Sequence, residues 1–557
     1  MRLKTEYDYI VIGSGSAGAA VAARLSEDPA LSVLLLEAGP RDRHPLQLMP
    51  LAFVKVATGN IGTWQYVSEP EPQLHGRQLP IPRGRTLGGT SSINAMIAIR
   101  GNRRDYDRWS ARGLPGWGYA DVLPYFKRLE TSWRGASELH GGSGPVKVSL
   151  MQGPDLLWDP LLRAAQSAGV AYCEDANGLE QDGISRMEAT TGGGKRSSTA
   201  RAYIYPAMRR PNLTIKTGAL AKRVLISNAR ATGVEFLQDG QAQTVHAQRE
   251  IIVCGGAYNS PQLLMLSGVG RPDELREWGI APVHELPGVG RNLSDHPNII
   301  NEYELIGDEG LTRHLRLDRA IGQMTRWFIT QGGPFASTGT AANVFTRTRA
   351  GLDQPDVQMM CLPISHTAKI WTPGLQRKPG FRLSVRTGYL QPQSRGWVKL
   401  RSGDPREAPR ILINMFAEPG DLDAMVRALK FSRSIYAQSP LREMIRSETQ
   451  PGSDRQSDQD LRDYIRLNAG HRSHPVGTCR MGNDSDAVVD AQLRVRGIAG
   501  LRIADASVMP EVPSGNTNLP SIMIGEKAVD LILERSLAPD FGPGLMGLEG
   551  QELRKVE

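Results

Sequence analysis

YDYIVIGSGSAGAAVAARL, residues 7–25, followed by LSVLLLEAG, residues 31–39, decides how this chain folds. YDYIVI is a short β-rich apolar run, and a glycine turn follows it at once. AAVAARLSED is alanine-rich and helical, ending near Pro29, and LSVLLLEAG is hydrophobic almost throughout, as a parallel strand covered on both faces must be. The order strand, glycine turn, helix, strand is a βαβ unit. Gly13, Gly15 and Gly18 match GxGxxG in the context that mechanism needs: a tight turn, close approach of a pyrophosphate, and close helix–strand packing. With Ser14, Ser16 and Ala17 they form a turn whose helix N-terminus offers free N–H groups to phosphate. Glu37, followed by Ala38, ends the second strand where an acid holds ribose hydroxyls. Glutamate there disfavours a 2′-phosphate, hence NADP, but leaves NAD and FAD unresolved.

With 557 residues, 40% of them apolar, the chain can bury a large core. Its 60 Gly and 37 Pro are spread out and read as turns rather than a disordered tract. The net charge of +8 comes from interspersed acids and bases. No basic stripe with aromatics stands out, so no nucleic-acid partner is expected. Cys173, Cys254, Cys361 and Cys479 form no CxxC pair, which fits a reducing compartment rather than a disulfide framework. The N-terminus lacks a secretory signal pattern, and no apolar run reaches membrane-spanning length. These features predict a cytoplasmic protein, with peripheral contact to the inner membrane left open.

Farther along, 214–227 and 231–257 read as a β-meander attached to the nucleotide unit, and 279–290 as strands and turns. Residues 381–405 alternate around turns and predict an antiparallel sheet in another domain. In RHLRLDRAIGQMTRWF, 313–328, Leu317, Ile321, Met324 and Phe328 share a helical face opposite arginines. That stripe suits a membrane surface, but packing on a sheet is the favoured reading. SIMIGEKAVDLILERS, 521–536, predicts a helix starting after Pro520, and 541–557 reads as a tail.

HRSHPVGTCRMG, residues 471–482, holds His471, His474 and Cys479. The spacing matches no common zinc pattern, and Pro475 and Gly477 break a helical ligand face, so no metal is expected. Cys479 as a nucleophile with a histidine base and a single working histidine both remain, and the segment by itself does not decide between them.

Four further blocks narrow the choice: PRGRTLGGTSSINAMIAIRGNRRDYDRW (82–109), GAYNSPQLLMLSGVG (256–270), LPGVGRNLSDHP (286–297) and LRIADASVMPEVPSGNTNLPSIMIGEKAVD (501–530). With HPVGTCRMG and the first motif, they resemble the glucose–methanol–choline (GMC) family of FAD-dependent oxidoreductases from Tyr9 to about Leu533. The N-terminal half is most similar to sorbose-type and long-chain or aromatic alcohol dehydrogenases. The resemblance implies an α/β fold with a Rossmann-like FAD-binding domain and a second, substrate-binding domain with an antiparallel sheet and helices. The boundaries expected are 1–154, 216–304 and 461–540 for the first and 155–215 and 305–460 for the second.

By the same resemblance, Gly13, Gly15, Gly18 and Glu37 hold the ADP half of FAD, and Thr86, Thr90 and Asn94 wrap the flavin and pyrophosphate. Val224 meets the adenine through its backbone, and Asp505 and Ala506 lie along the ribityl-pyrophosphate. Ile93 stands where some members carry a flavin-linked histidine, which implies non-covalent FAD. His474 is the base that strips the hydroxyl proton so that hydride can pass to flavin N5, and Asn518 orients or stabilises the alkoxide. An alcohol becomes an aldehyde or ketone, and a quinone, an electron-transfer protein or oxygen accepts the electrons. The alternatives are a sorbose-type sugar or polyol dehydrogenase, a GMC-like cyanohydrin lyase with spectator flavin, and a flavin-binding protein without catalysis. Choline is disfavoured, because STGTAANVFTRT, 337–348, carries no acid for a trimethylammonium group.

Overall fold

β1 (Glu6–Ile12), α1 (Ser16–Leu25) and β2 (Val33–Glu37) form where the pattern puts them. The strands run parallel, with Tyr9 opposite Val33 and Ile12 opposite Leu36. Ile10, Val11, Leu34 and Leu35 are fully buried, and each such side chain contributes about 1.5–3 kcal/mol of transfer free energy. The structure is a computed structural model that describes residues 4–307, 310–365 and 367–540.

β3 (Leu213–Thr217) pairs with β2 on its far side, also parallel. β4 (Ala219–Ser227), β5 (Arg230–Gln238) and β6 (Gln241–Val253) make the antiparallel meander, and β6 then runs parallel beside β1. β7 (Pro297–Leu305) opens a second sheet. After α2 (Leu317–Thr330), that sheet gains β8 (Ala342–Thr346), β9 (Val357–Leu362), β10 (Arg382–Tyr389) and β11 (Ile445–Gln450). β12 (Leu501–Ile503) returns to the first sheet beside β6, and α3 (Asn518–Ile532) packs along α1.

The first sheet therefore has the order β3-β2-β1-β6-β5-β4, with β12 on β6. The second runs β11-β7-β10-β9-β8 and ends on the short strand Gly183–Arg186. Its pairs are antiparallel, as the alternation in 381–405 predicts. The α/β class holds. Strand β7, which the expected boundaries divide between the two domains, pairs wholly in the second sheet. Of 279–290, only His284–Glu285 is a strand.

Two helices depart from expectation. On α2 the face of Leu317, Ile321 and Phe328 looks outward, at 39%, 58% and 50% exposure, and Ile329 reaches 76%. The helix is held by Ala320 and Trp327 instead, and of the predicted stripe Met324 packs against the same cluster. Trp327 packs near Met49 and Phe335, and its indole N–H donates to the Gly194 carbonyl at 2.9 Å. One large anchoring ring on the adjacent stripe thus sets the helix rotation. The second is α3, which begins at Asn518 rather than after Pro520. Proline is tolerated in a first helical turn, where no N–H is needed. No helix among the described residues is long and apolar enough to cross a membrane. The segment read as a tail, 541–557, lies outside the described residues.

Candidate active site

A cavity of about 420 Å³ runs from the end of β2 past the α1 turn to the second sheet. Gly13, Gly15, Ser16, Ala17, Glu37 and Ala38 line one end. Gly13 sits at φ +98°, and a Cβ there would stand 2.5 Å from the Cys254 carbonyl oxygen. On Gly18 a Cβ would meet the Gly13 oxygen at 2.0 Å, so only glycine lets α1 close on the turn. Gly15 differs: a Cβ there meets nothing within 4 Å. The open space beside it, at the N-terminus of α1, is what a pyrophosphate fills.

Ser14 faces away from the cavity. Its N–H and hydroxyl both donate to one Glu37 oxygen, at 3.0 and 2.6 Å, and Gly39 N–H donates to the other at 2.7 Å. Burial pushes the Glu37 carboxyl up, against these bonds. The oxygen bonded only to Gly39 N–H keeps a lone pair for a ribose hydroxyl. Thr90, Asn94, Asp505 and Ala506 also line the cavity. Asp505 is fixed by Gly256 N–H at 2.9 Å and the Ser260 hydroxyl at 2.5 Å. These groups fit a dinucleotide.

Thr86 and Val224 do not line it. The Thr86 hydroxyl donates to the Pro40 carbonyl at 3.0 Å, fixing the loop from behind. Val224 is 2% exposed, and its N–H is taken by the Ser267 hydroxyl at 2.8 Å. A register shift between Ala221 and Arg223 separates Val224 from the strand start, and Ala219, Leu220 and Ala221 line the cavity instead.

At the other end stand His474 and Asn516, with the Asn516 amide nitrogen 3.0 Å from His474 Nε2. The proton positions follow from a chain with fixed ends. Arg472, which can only donate, bonds the Gln358 oxygen at 2.7 Å. The Gln358 amide N–H then points to Asn516 Oδ1 at 3.4 Å, which leaves the Asn516 N–H groups to face His474 Nε2. On the far side, His296 Nε2 lies 3.1 Å from the Leu390 carbonyl, an obligate acceptor, and so carries its proton there. His296 Nδ1 is then an acceptor, and His474 Nδ1–H donates to it at 3.0 Å. His474 is thereby a neutral ring with its lone pair on Nε2, in the cavity. Burial, then the neighbouring His296, holds its pKa well below the ordinary imidazole value. Burial, with the Arg472 charge adding to it, drives His296 down to about 3.

Asn518, the residue expected beside His474, is not there. Its Oδ1 accepts from the Ser16 hydroxyl at 2.8 Å, tying the start of α3 to the start of α1. Gly525 lets the two helices approach, since a Cβ on it would lie 2.5 Å from the Ala17 carbonyl oxygen. Both helix N-termini therefore border the cavity, through Ser16 and Ala17 and through Asn518 and Ser521. The helical turn carries Asn518 toward the phosphate end, so Asn516, two residues earlier, makes the contact with the base. His471 is bracketed by backbone: its Nε2–H donates to Pro80 O at 2.9 Å, and Nδ1 accepts from Ser473 N–H at 3.0 Å. Cys479 is fully buried, and burial pushes its thiol well up.

Sequence reading missed Asn516, His296, Asp295 (which accepts His474 N–H at 2.9 Å), Gln358 and Arg472. The signals were present. Asp295 and His296 close the block LPGVGRNLSDHP, GNTN offers two asparagines, and Gln358 lies in a strand no motif marks.

Family profiles described as GMC oxidoreductase match residues 7–298 and 392–525. Mitochondrial choline dehydrogenase of Mus musculus is 42% identical over 97% of this chain and 92% of its own length. Oxygen-dependent choline dehydrogenase of Brucella anthropi is 40% identical over 95% and 96%. Among solved structures, pyridoxine 4-oxidase from Mesorbium loti superposes with a TM-score of 0.85 at 29% identity, over 95% of this chain and 100% of that one. A variant of Aspergillus oryzae formate oxidase, studied for FAD modification, gives 0.89 at 28%, over 96% and 99%. A dinucleotide cavity ending on a neutral histidine, in a chain matched this way along nearly its whole length, belongs to the GMC oxidoreductase family of FAD-dependent enzymes.

Proposed function

We propose that the protein oxidises an alcohol to an aldehyde or ketone with non-covalently bound FAD, using His474 as the base. The observation that carries this reading is the pair His474 Nε2 and Asn516 Nδ2, 3.0 Å apart where the nucleotide cavity ends. An alcohol hydroxyl that displaces the Asn516 N–H from Nε2 gives its proton to the freed lone pair, while its oxygen accepts from the Asn516 amide. The base thus gains its proton while the amide steadies the developing alkoxide, and each such contribution is worth orders of magnitude in rate. Bound in the cavity, FAD supplies the acceptor for the hydrogen that leaves the alcohol carbon with its electron pair. Ile93, in the cavity wall, offers no side chain for a covalent flavin link. Gly13, Gly15, Gly18, Glu37, Thr90, Asn94, Asp505 and Ala506 are the residues proposed to hold the cofactor, with Ala221 in place of Val224. Thr86 and Ser14 act from behind.

Anaerobic mixing of the yellow holoprotein with alcohols tests the reading. Bleaching is expected. A cyanohydrin lyase, in which the flavin stays oxidised, leaves the colour unchanged. We assign peripheral membrane contact to α2, whose exposed Ile321, Phe328 and Ile329 are accompanied by the exposed bases Arg319, Arg326, Lys369 and Arg377. Co-sedimentation with vesicles containing phosphatidylglycerol, and none with pure phosphatidylcholine, is the expected outcome.

A further inference from the structure

The wall around His474 carries an electrostatic signature that the removal of a hydroxyl proton does not by itself account for. Arg83, Arg386 and Arg472 all line this end of the cavity. The carboxylates in the wall are Glu37 and Asp505, and both belong to the nucleotide end. Arg386 projects from β10 beside Met360 of β9, its cross-strand partner, and both reach the cavity. On a strand pair, residues directly opposite share one face of the sheet. Two residues on, Gly388 leaves room for Arg472: a Cβ there would stand 2.7 Å from the Arg472 side chain.

The three guanidinium groups differ in their commitments. Arg83 donates to the Ser473 carbonyl at 3.2 Å and lies 4.0 Å from the buried Asp295 carboxylate behind His474, which balances its charge. Arg472 donates to Gln358 and to the Arg386 carbonyl at 3.0 Å, yet at 8% exposure its Nε lacks a partner. Among the described residues, Arg386 makes no side-chain hydrogen bond, ion pair or ring contact, and it lines the cavity. A partly buried guanidinium without an anion is costly, and its planar fork of donors matches a carboxylate.

Resting on the oxidation reading above, we propose that the substrate is an alcohol bearing a carboxylate, a hydroxy acid whose anionic end is received by Arg386 with Arg472 behind it. The same wall opposes a quaternary ammonium. No carboxylate from 337–348 is offered to one, and two of the aromatic rings in the wall already face a guanidinium: Arg85 lies 4.2 Å from the Trp64 centroid and Arg83 lies 5.0 Å from that of Tyr258. In this respect the cavity departs from what the names of its choline-dehydrogenase relatives suggest.

The experiment uses the FAD-loaded enzyme and three sets of probes: the ω-hydroxy acids from 3-hydroxypropionate to 6-hydroxyhexanoate, their amides, and choline. Anaerobic flavin bleaching gives the rate and the half-saturating concentration for each. A hydroxy acid is expected to saturate at roughly 10- to 100-fold lower concentration than its amide, with choline poorest. Arg386→Gln should erase the difference between acid and amide, chiefly in KM, while Arg386→Lys restores part of it. Arg386→Glu should invert the order in favour of choline. Equal saturation by acid and amide, a preference for choline, or a preference untouched by Arg386→Gln overturns the proposal and leaves alcohol oxidation standing.

A second measurement needs no turnover and no folded variant. Glutarate, which has no hydroxyl to oxidise, should raise the melting temperature of the wild-type holoprotein and perturb its flavin spectrum, whereas glutaramide should not. If no alcohol bleaches the flavin but glutarate still binds, the oxidation reading fails and the anion site stands. If glutarate and glutaramide act alike, the anion site fails.

Discussion

The two ends of the cavity are built in opposite ways. At the nucleotide end, the turn Gly13–Gly18 and Glu37 lie within one βαβ unit, and the bonds that fix Glu37 are made within that unit and the residue pair after it, although Asp505 and Asn518 reach the same end from far along the chain. At the histidine end, the groups that define His474 come from Asp295 and His296, from Gln358, from Leu390 and from Asn516. The first end is specified by local backbone geometry. The second exists only once two sheets and the loop before α3 are assembled. A local site fails by steric clash; a dispersed one fails by loss of proton order.

The largest effect that sharpens this contrast is expected at Gly18. Gly18→Val forces side-chain atoms against the Gly13 oxygen and should cost about 3 kcal/mol or more of stability, with loss of bound FAD, by thermal melting and flavin absorbance. Gly15→Ala, whose added methyl meets no protein atom, should leave the apoprotein's stability within about 0.5 kcal/mol while still shedding FAD on gel filtration. Equal melting losses for the two variants would break the distinction between a packing glycine and a cofactor glycine.

At the dispersed end, Asn516→Ala should slow anaerobic flavin bleaching by roughly 100-fold, as loss of one donor to a developing oxyanion does. Asn518→Ala, which removes the link to Ser16, should cost less than about tenfold. The reverse ranking would restore Asn518 to the base. This pair also marks how far the sequence could be read. The βαβ unit, the glycine roles and Glu37 were legible because periodicity and turn chemistry are local properties. His474 was legible through family resemblance. Which asparagine meets it was not, because the answer depends on where α3 starts, and the presence of Pro520 moved that start in the reading. The rotation of α2 was hidden for a similar reason. An apolar stripe shows that a helix has a face, but one tryptophan on the adjacent stripe decided which face is covered.

The smallest effect is on pH-dependent stability. Buried neutral His296 and His474 have folded-state pKa values below the unfolded value of about 6.5. Between those values the unfolded chain binds protons that the fold excludes. Their contribution is therefore present above pH 6.5 and is lost as pH falls, down to about 3 for His296. Each ring should add about 1.4 kcal/mol per pH unit to the slope of unfolding free energy in that window. His296→Gln should make the slope shallower by one ring's worth in urea titrations from pH 6 to pH 4.5. An unchanged slope would mean that His296 is not held neutral.

The measurement that bears most directly on the account is the anaerobic reduction rate of His474→Ala, loaded with FAD, across a range of pH. If Nε2 takes the hydroxyl proton, the rate at neutral pH falls by roughly 10²- to 10⁴-fold. It then climbs with pH as hydroxide substitutes for the missing base, with a smaller loss for more acidic alcohols. A variant that reduces its flavin at the wild-type rate, or that loses the same factor at every pH and for every alcohol, contradicts the assignment of His474 as the base.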